Sequence, residues 1–240
     1  MSLEIKEGAI FIADAHESSQ RDFFFHFLLH VKENKPTQLF LMGDMFDLLV
    51  GSVQYGVSKY QRYIELINAI ASDTEVFYFE GNHDFDLKSL FPQVKVLPLE
   101  QQPLLFVLPD GQNCLLSHGD KFGNLTHKLF TAFIRNPKIL PFLNFLDQNF
   151  HFFISRKIES NQEKKNLCRK IEHFEELVKA KIGRYEPLHV KIIAEGHYHQ
   201  NRAFEVNNRH YFNFSSFACN QSYFIVQSSP KTQFIEKKSN

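Results

Sequence analysis

The chain contains little cysteine, and this scarcity limits the class of protein to which it can belong. Its 240 residues include three cysteines, Cys114, Cys168 and Cys219. An odd number at such wide spacing is not typical of a disulfide framework or of a CxxC metal site. We therefore expect no disulfide framework, and a reducing compartment is the simplest interpretation.

Long apolar runs are also absent from the sequence. No apolar stretch reaches the roughly 18 residues that a transmembrane helix requires. Glu4, Lys6 and Glu7 interrupt the N-terminus before any apolar stretch begins, so a secretory signal peptide is not expected. These absences predict a cytoplasmic protein that is at most peripheral to a membrane.

Neither sign of charge is in excess, because 27 Lys and Arg residues balance 27 Asp and Glu residues. The sequence has no basic, aromatic-interleaved channel, and no nucleic-acid partner is expected. Between Lys121 and Val190, however, thirteen basic residues accompany seven acidic ones. That local excess fits either a solvated helical face or a surface for an anionic ligand or an anionic membrane. No obligate protein partner is evident.

The first half of the chain alternates short apolar runs with helical patterns, which predicts an α/β core with buried strands. From about residue 126 to residue 183 the pattern is helical and rich in phenylalanine, with breaks near Pro137 and Pro141. We expect a single domain over residues 1–240, with a helical lid insertion at about 121–189. The predicted strands of the first half are residues 9–13, 39–42 and 75–79, and the predicted helices are about 21–31 and 58–71.

Five polar clusters each follow a strand-like apolar run. Ligand sites in open α/β sheets lie beyond the carboxyl ends of the strands, so clusters that are distant in sequence can converge there. The clusters are Asp14-Ala15-His16, Gly43-Asp44-Met45-Phe46-Asp47, Gly81-Asn82-His83-Asp84, His118-Gly119-Asp120 and Gly196-His197-Tyr198-His199.

The residue types in these clusters are those that a two-metal site needs. Carboxylates and imidazoles suit divalent ions such as Mn, Fe, Zn or Ni, and an aspartate can bridge two ions about 3.5–4 Å apart. Each cluster alone is a weak signal, since a lone histidine on an apolar face is more often a core residue. Five clusters in this order predict a dinuclear metal-dependent phosphoesterase.

The clusters resemble the pattern of the calcineurin-like metallophosphoesterase superfamily: D-x-H, G-D-x-x-D, G-N-H-D/E, a later H, and G-H-x-H. The resemblance spans Asp14 to His199 and implies a four-layer α/β/β/α sandwich. It also implies a role for each matching residue. The first ion would be held by Asp14, His16 and His199, the second by Asn82, His118 and His197, and Asp44 would bridge them.

The resemblance further implies a catalytic group beside the scissile phosphate. His83 would donate a proton to the leaving group or stabilise charge as an imidazolium. Asp84 would orient a neighbouring imidazole. Of the two expected divalent ions, Mn is the first expectation, and Fe, Zn, Ni or Mg also suit the ligands.

Within the superfamily, the chain is similar to the UDP-2,3-diacylglucosamine pyrophosphatase branch of lipid A biosynthesis. The similarity lies in residues 11–16, in residues 43–47 and in a helical insertion between His118 and His197. It implies cleavage of UDP-2,3-diacylglucosamine to UMP and 2,3-diacylglucosamine 1-phosphate (lipid X). The expected substrate contacts are Asn82, His83, His197, Ser160 and Lys164.

The apolar residues crowded at 129–153 are consistent with an acyl-chain pocket or with contact to a bilayer, but they also fit plain packing of the insertion on the core. The sequence departs from this branch at His83, where the branch carries arginine. Two alternatives therefore remain open. One is a metallophosphodiesterase or phosphatase with another substrate, and the other is a non-catalytic binding module.

Overall fold

The computed structural model describes residues 3–121, 133–136, 138–185, 190–229 and 231–239. Residues 122–132, 137 and 186–189 of the predicted insertion lie outside these ranges, and so does the break predicted at Pro137. The strands are β1 Leu3–Glu4, β2 Ile10–Ile12, β3 Gln38–Leu41, β4 Leu49–Val50, β5 Glu75–Phe79, β6 Asp84–Phe85, β7 Lys95–Leu97, β8 Leu104–Val107, β9 Asn113–Ser117, β10 Ile192–Glu195, β11 Arg202–Val206, β12 Arg209–Asn213, β13 Ser222–Gln227 and β14 Gln233–Lys238. The α-helices are α1 Phe23–Asn34, α2 Gln54–Lys59, α3 Gln61–Ala71, α4 Ile139–Asn149, α5 Phe153–Glu163, α6 Phe174–Ile182 and α7 Phe217–Asn220.

Two six-stranded sheets carry most of the described strands. One sheet has the order β1-β8-β9-β10-β12-β11 and the other has the order β14-β13-β2-β3-β5-β7. Strands β2, β3, β5 and β7 run parallel, as do β9, β10 and β12. The carboxyl ends of the parallel strands in each sheet therefore lie at one edge, and the short parallel pair β4-β6 lies outside both sheets.

Alternation along the buried strands explains why the two sheets stack. Phe11, Phe40 and Phe77 point from neighbouring strands into the core between the sheets. The intervening residues Leu41 and Tyr78 point the other way, into a core shared with α1 and α3. Successive strand residues face opposite sides, so a continuous apolar run buries both faces.

The outer face of the sheet that contains β9 and β10 is covered by a helix from the segment between those two strands. Leu115 and Ile193 of that sheet pack with Phe174 and Val178 of α6 in a separate buried cluster. With α1 and α3 on the other side, the layers are helix, sheet, sheet and helix. The predicted four-layer α/β/β/α sandwich is confirmed.

Two local predictions from the sequence are wrong. Pro141 does not break a helix, because it lies in the first turn of α4, where its missing N–H has no intrahelical acceptor to lose. The cysteine prediction is also wrong, because Cys168 and Cys219 form a disulfide with Cα atoms 5.6 Å apart. The fold brings these residues together across 51 positions of sequence, a separation that spacing rules cannot reveal.

The described helices are short. Within the ranges given above, no helix combines the length and the apolar character needed to cross a bilayer.

Stacked phenylalanine rings form the centre of the core between the sheets. The Phe40 ring lies parallel to the rings of Phe11 and Phe77, with centroids 4.2 and 4.6 Å away. Phe106 of the facing sheet meets Phe40 edge-on at 5.6 Å. Such pairs add to the stabilisation from buried apolar area.

We expect Phe40→Ala to lower the free energy of unfolding by about 3–5 kcal/mol, because it removes a fully buried ring and leaves a cavity. Urea unfolding followed by circular dichroism measures the loss. Phe145→Ala is the matched control, since Phe145 on α4 is 61% exposed. Its effect should stay within about 0.5 kcal/mol, and equal losses in the two variants would contradict this account of the core.

Candidate metal centre

The five polar clusters meet at one edge of the sandwich. Each follows the carboxyl end of a strand in one of the two stacked sheets, which is where parallel strands present the loops that follow them. Asp14 follows β2, Asp44 follows β3, Asn82 follows β5, His118 follows β9 and His197 follows β10.

One group of potential ligands comprises Asp14, His16 and His199. Their ligating atoms all lie within 4.8 Å of one another. The two imidazole Nε2 atoms are 3.4 Å apart, and His199 Nε2 lies 3.2 Å from Asp14 Oδ1. These residues come from opposite ends of the sequence, and they are the set predicted for the first ion.

A second group comprises Asp44, His118 and His197, again with ligating atoms within 4.8 Å of one another. His118 Nε2 lies 3.3 Å from Asp44 Oδ2. Asn82 belongs to the same predicted set, and its Oδ1 is buried with no hydrogen-bond partner, as is His118 Nε2. Buried acceptors are rarely left unpaired. Converging, unpaired acceptors fit a divalent cation.

The imidazoles are oriented by their second ring nitrogen. His16 Nδ1 donates to Asp47 Oδ1 at 3.1 Å, which leaves Nε2 for a metal ion. Such partners fix the tautomer and the orientation of a ligating ring. The same arrangement recurs for His118 with the carbonyl of Met42 at 2.9 Å and for His199 with the carbonyl of Leu167 at 2.7 Å.

Asp47 is in turn held by Arg21. The guanidinium of Arg21 donates to the buried Asp47 carboxylate and, through Nε, to the carbonyl of His16 at 2.9 Å. Arg21 therefore supports His16 in two ways, through the carboxylate that orients its ring and through its backbone carbonyl. The sequence contained no signal for this role, since Arg21 belongs to none of the five clusters.

Two glycines leave the space that the ligands occupy. A Cβ atom on Gly81 would lie 2.2 Å from Asp44 Oδ1, and one on Gly43 would lie 2.5 Å from His118 Nδ1. Gly43 also has a φ of +90°, a conformation that side chains disfavour. Any other residue at either position would displace a predicted ligand.

The backbone of the ligand loops is strained. Five of the predicted ligands adopt the left-handed conformation, which costs on the order of 1–3 kcal/mol for a residue other than glycine. Such conformations cluster at functional sites, where the surrounding structure enforces them. The φ values are 52° for Asp14, 45° for His16, 53° for Asp44, 63° for His197 and 58° for His199.

Asp84 contacts the backbone of the ligand loops. Its Oδ1 accepts the N–H groups of Asp44 and Gly81, each at 2.9 Å. Its Oδ2 accepts the N–H of Met45 at 2.6 Å and the hydroxyl of Tyr78 at 2.7 Å. The structure thus assigns Asp84 hydrogen bonds to backbone rather than the predicted bond to an imidazole, a contact that Asp47 makes instead.

Charges of opposite sign are concentrated in the centre. Burial acts to raise the pKa of Asp44, but His118, His83 and His16 outweigh it and hold that pKa well below its usual range. Burial acts to lower the pKa of His118, but the Asp44 carboxylate outweighs it and raises that pKa well above normal. A cation bound to His118 would take the place of its proton.

His83 lies beside the ligand groups without belonging to either. Its backbone N–H donates to Asp44 Oδ1 at 2.9 Å, and its Nδ1 donates to the carbonyl of Asp47 at 3.0 Å. The Nε2 atom is therefore left for a substrate. Burial lowers the pKa of His83, although the neighbouring Asp44 carboxylate acts in the opposite direction.

An apolar cavity of about 420 Å³ adjoins His83 and Asn82. It lies between the β4-β6 pair and the helical segment, a name we use for the described residues 133–136 and 138–185. Lys165 contributes a charged group to its lining. The remaining lining residues include Leu48, Val50, Val53, Phe85, Leu140, Leu143, Ile158, Asn161 and Gln162.

Ser160 and Lys164, two predicted substrate contacts, are absent from the lining of this cavity among the residues that the structure describes. The residues that line it are Asn161 and Lys165, each one position further along the chain. On a helix, one residue of displacement turns a side chain by about 100°. Contact of Ser160 and Lys164 with a substrate stays a prediction.

Ion pairs join the helical segment to the core at both of its ends. At its start, Arg135 donates to Glu80 Oε2 at 3.0 Å. At its end, Lys181 donates to Glu195 Oε2 at 2.7 Å and to the carbonyl of Gly119 at 2.6 Å. Lys181 and Glu195 are both buried, so each charge depends on the other.

Several hydrogen bonds join the middle of the helical segment to the core. The Ser19 hydroxyl donates to Glu163 at 2.8 Å, and the N–H of Gln54 donates to Asn144 Oδ1 at 3.0 Å. Glu159 of α5 is buried and accepts hydrogen bonds from Tyr55 at 2.7 Å and from Lys59 at 2.5 Å. The hydroxyl of Tyr60 lies 3.3 Å from the same carboxylate. The contacts of Glu159 hold α5 over α2.

Comparisons with known proteins place the chain in a family. Residues 9–201 match the calcineurin-like phosphoesterase family. A UDP-2,3-diacylglucosamine hydrolase of Haemophilus ducreyi is 28% identical over 206 residues, which are 82% of this chain and 86% of that protein. One of Wigglesworthia glossinidia brevipalpis is 26% identical over 215 residues, 85% and 84% of the two chains.

A solved structure described as that of a novel archaeal phosphodiesterase covers 95% of this chain and 98% of its own, with a TM-score of 0.46 and 10% identity. The family match covers all five polar clusters, from Asp14 to His199. The chain belongs to the calcineurin-like phosphoesterase family.

Proposed function

We propose that this protein hydrolyses the pyrophosphate bond of UDP-2,3-diacylglucosamine and releases UMP and 2,3-diacylglucosamine 1-phosphate. The observation that carries the proposal is the apolar cavity beside Asn82 and His83. It gives a phosphoesterase centre an adjoining site for hydrocarbon. The names of the curated relatives point to the same substrate.

The two ligand groups would hold two divalent cations, and we propose Mn²⁺ as the resident ion. Such a pair neutralises phosphate oxygens and lowers the pKa of a water nucleophile. Asp44 belongs to the second group, and its backbone carbonyl accepts the N–H of His16 from the first at 3.0 Å. It is the proposed bridging ligand. Asn82 would add a neutral oxygen, so that the centre keeps its affinity for an anionic phosphate.

His83 is the proposed acid for the leaving group. Because its Nδ1 donates to the carbonyl of Asp47, its Nε2 is the atom that can meet the leaving oxygen. Protonation of that atom requires a negative charge nearby, since burial disfavours the imidazolium. The phosphate of a bound substrate would supply it, and the proton would then pass to the UMP or the sugar phosphate as the bond breaks.

The cavity lining contains both polar and apolar side chains, as a lipid-linked substrate would require. The side chains of Asn161, Gln162 and Lys165 in the lining can provide hydrogen bonds and one positive charge. Leu140, Ile158 and the other apolar lining residues provide an apolar surface. A diacylated sugar phosphate has the same division, and an apolar pocket with few polar groups is typical of small-ligand sites.

The outer face of the helical segment supports contact with the membrane that would contain such a lipid. Phe142, Phe145, Phe150 and Phe153, which we call the membrane face, are 60–69% exposed. Exposed apolar patches of this kind mark interaction sites. The neighbouring Arg156 and Lys157 are exposed, and they would favour anionic lipids.

The substrate assignment predicts strong dependence on the acyl chains. We expect UDP-2,3-diacylglucosamine in mixed micelles with Mn²⁺ to be hydrolysed at least about 100-fold more efficiently than bis(4-nitrophenyl) phosphate, because each buried CH₂ contributes about 0.8 kcal/mol. Release of UMP measures the reaction. Good turnover of the generic diester with none of the lipid would contradict the proposal and favour a small soluble substrate.

A pair of adjacent tryptophan variants tests the cavity itself. Leu143→Trp fills the cavity, whereas Phe142→Trp changes an exposed neighbour on the same helix. Only the first should reduce hydrolysis of the lipid, and neither should alter hydrolysis of the generic diester. Equal rates of lipid hydrolysis in the two variants would show that the acyl chains do not bind in this cavity.

Removal of the proposed bridge tests the metal centre. Asp44→Asn should reduce turnover by about 10³-fold or more and lower the amount of metal retained per chain, because both ions share this carboxylate. Inductively coupled plasma mass spectrometry gives the metal content. Asp73→Asn is the control, since Asp73 is an exposed carboxylate paired with Lys35. A fully active Asp44 variant would refute the bridge.

The membrane face predicts binding to anionic vesicles. Phe145→Ser/Phe153→Ser should weaken cosedimentation with phosphatidylglycerol vesicles by about tenfold or more, because each buried phenylalanine contributes about 1.5–3 kcal/mol. Phe23→Ser is the control, since Phe23 is 46% exposed on α1. If the control loses as much binding as the double variant, the membrane contact lies elsewhere.

A further inference from the structure

The disulfide joins two elements that each contact a ligand of the first metal group. Cys168 lies in residues 165–173, which connect α5 to α6 and which we call the tethered segment. Cys219 lies in α7. The bond is not explained by packing of the core, because Cys168 is exposed and Cys219 is partly exposed.

On the side of Cys168, the contact is with His199. The carbonyl of Leu167, the residue before Cys168, accepts the Nδ1 hydrogen bond of His199 at 2.7 Å. Gln200 reinforces this contact, since its Oε1 accepts the N–H of Ile171 at 2.9 Å and its Nε2 donates to the carbonyl of Arg169 at 3.1 Å.

On the side of Cys219, the contact is with Asp14. The Ser216 hydroxyl donates to the carbonyl of Asp14 at 2.7 Å, and the N–H of Ala218 donates to the same oxygen at 3.2 Å. The disulfide therefore connects the support of Asp14 to the support of His199. The two ligands themselves lie 3.2 Å apart, between Asp14 Oδ1 and His199 Nε2.

Apart from its hydrogen bonds to His199 and Gln200 and the partial packing of Ile171, the tethered segment has few restraints. None of the side chains of residues 165–173 is buried, and the segment is not helical. Exposed, irregular backbone of this kind opens at low free energy unless something ties it down. The disulfide supplies this restraint. Whether it stays intact depends on exchange with thiols in solution rather than on packing.

We propose that the Cys168–Cys219 bond is a redox-sensitive tether that holds the imidazole of His199 in place for the first metal ion. A dithiol reductant would open it by exchange: the dithiol loses two electrons and two protons and forms its own disulfide, and Cys168 and Cys219 become thiols. The inference rests on the proposed function only in that Asp14, His16 and His199 bind a metal ion.

Reduction would act through the partner of His199. Once the tethered segment is free, the carbonyl of Leu167 no longer fixes which nitrogen of His199 carries the proton. Loss of such a partner lowers metal affinity by about 10–100-fold. Lys165, which lines the cavity, lies in the same segment, so reduction would also loosen a proposed substrate contact.

The test compares metal binding in four forms of the full chain. These are the air-oxidised protein, the same protein reduced with dithiothreitol and then separated from it without oxygen, Cys168→Ser/Cys219→Ser, and Cys114→Ser. Cys114 is the matched control, because it is the free, buried cysteine. Mn²⁺ binding is measured by equilibrium dialysis without substrate, and free thiols are counted in denaturant.

The oxidised protein and the Cys114 variant should bind two Mn²⁺ ions per chain. The reduced protein and the double variant should bind one of the two about 10–100-fold more weakly, with faster hydrogen exchange in residues 165–171. Equal affinity in all four forms, or three free thiols after air oxidation, would overturn the tether. Redox-dependent binding in a protein that fails to cleave the lipid would support the tether and contradict only the proposed substrate.

Discussion

The buried carboxylate of Asp84 is the interaction on which the metal centre depends. It accepts three backbone N–H groups from the loops after β3 and β5, together with the hydroxyl of Tyr78. These loops contain Asp44, Asn82 and His83, so one side chain sets the separation of three functional groups. Burial, with a contribution from the charge of Asp44, raises the pKa of Asp84 to about 7, and the hydrogen bonds are what keep this carboxylate in so apolar a place.

Around that carboxylate, the fold tolerates features that a typical core avoids. One edge of the sandwich contains five ligands with left-handed backbone and unpaired acceptors on Asn82 and His118. It also contains charges of both signs. The stacked phenylalanine core and the helices on either side supply the stability that offsets these costs. Rigid sheets below strained loops place ligand atoms close together before any ion arrives, which is what a binding site needs.

Much of this arrangement could be predicted from sequence, because the buried strands are recognisable as short continuous apolar runs. Apolar runs buried on both faces, each followed by Asp, His or Asn, predicted both the layers and the ligand groups. What could not be predicted depends on contacts between distant residues. The bond between Arg21 and Asp47, the pairing of Cys168 with Cys219 and the side of α5 that faces the cavity arise only when separate elements pack together. Composition and periodicity do not predict which distant residues come into contact.

The ion pairs at the two ends of the helical segment have a mechanical consequence. Arg135 with Glu80 and Lys181 with Glu195 clamp the segment where it leaves the core and where it returns. If the segment opened like a flap hinged at one end, the ion pair at the other end would break and leave a buried charge unpaired. The segment therefore behaves as a span supported at both ends. Between its two supports, the middle of the span is held to the core by three further polar contacts, namely Glu159 with its three partners, Glu163 with Ser19, and Asn144 with the N–H of Gln54.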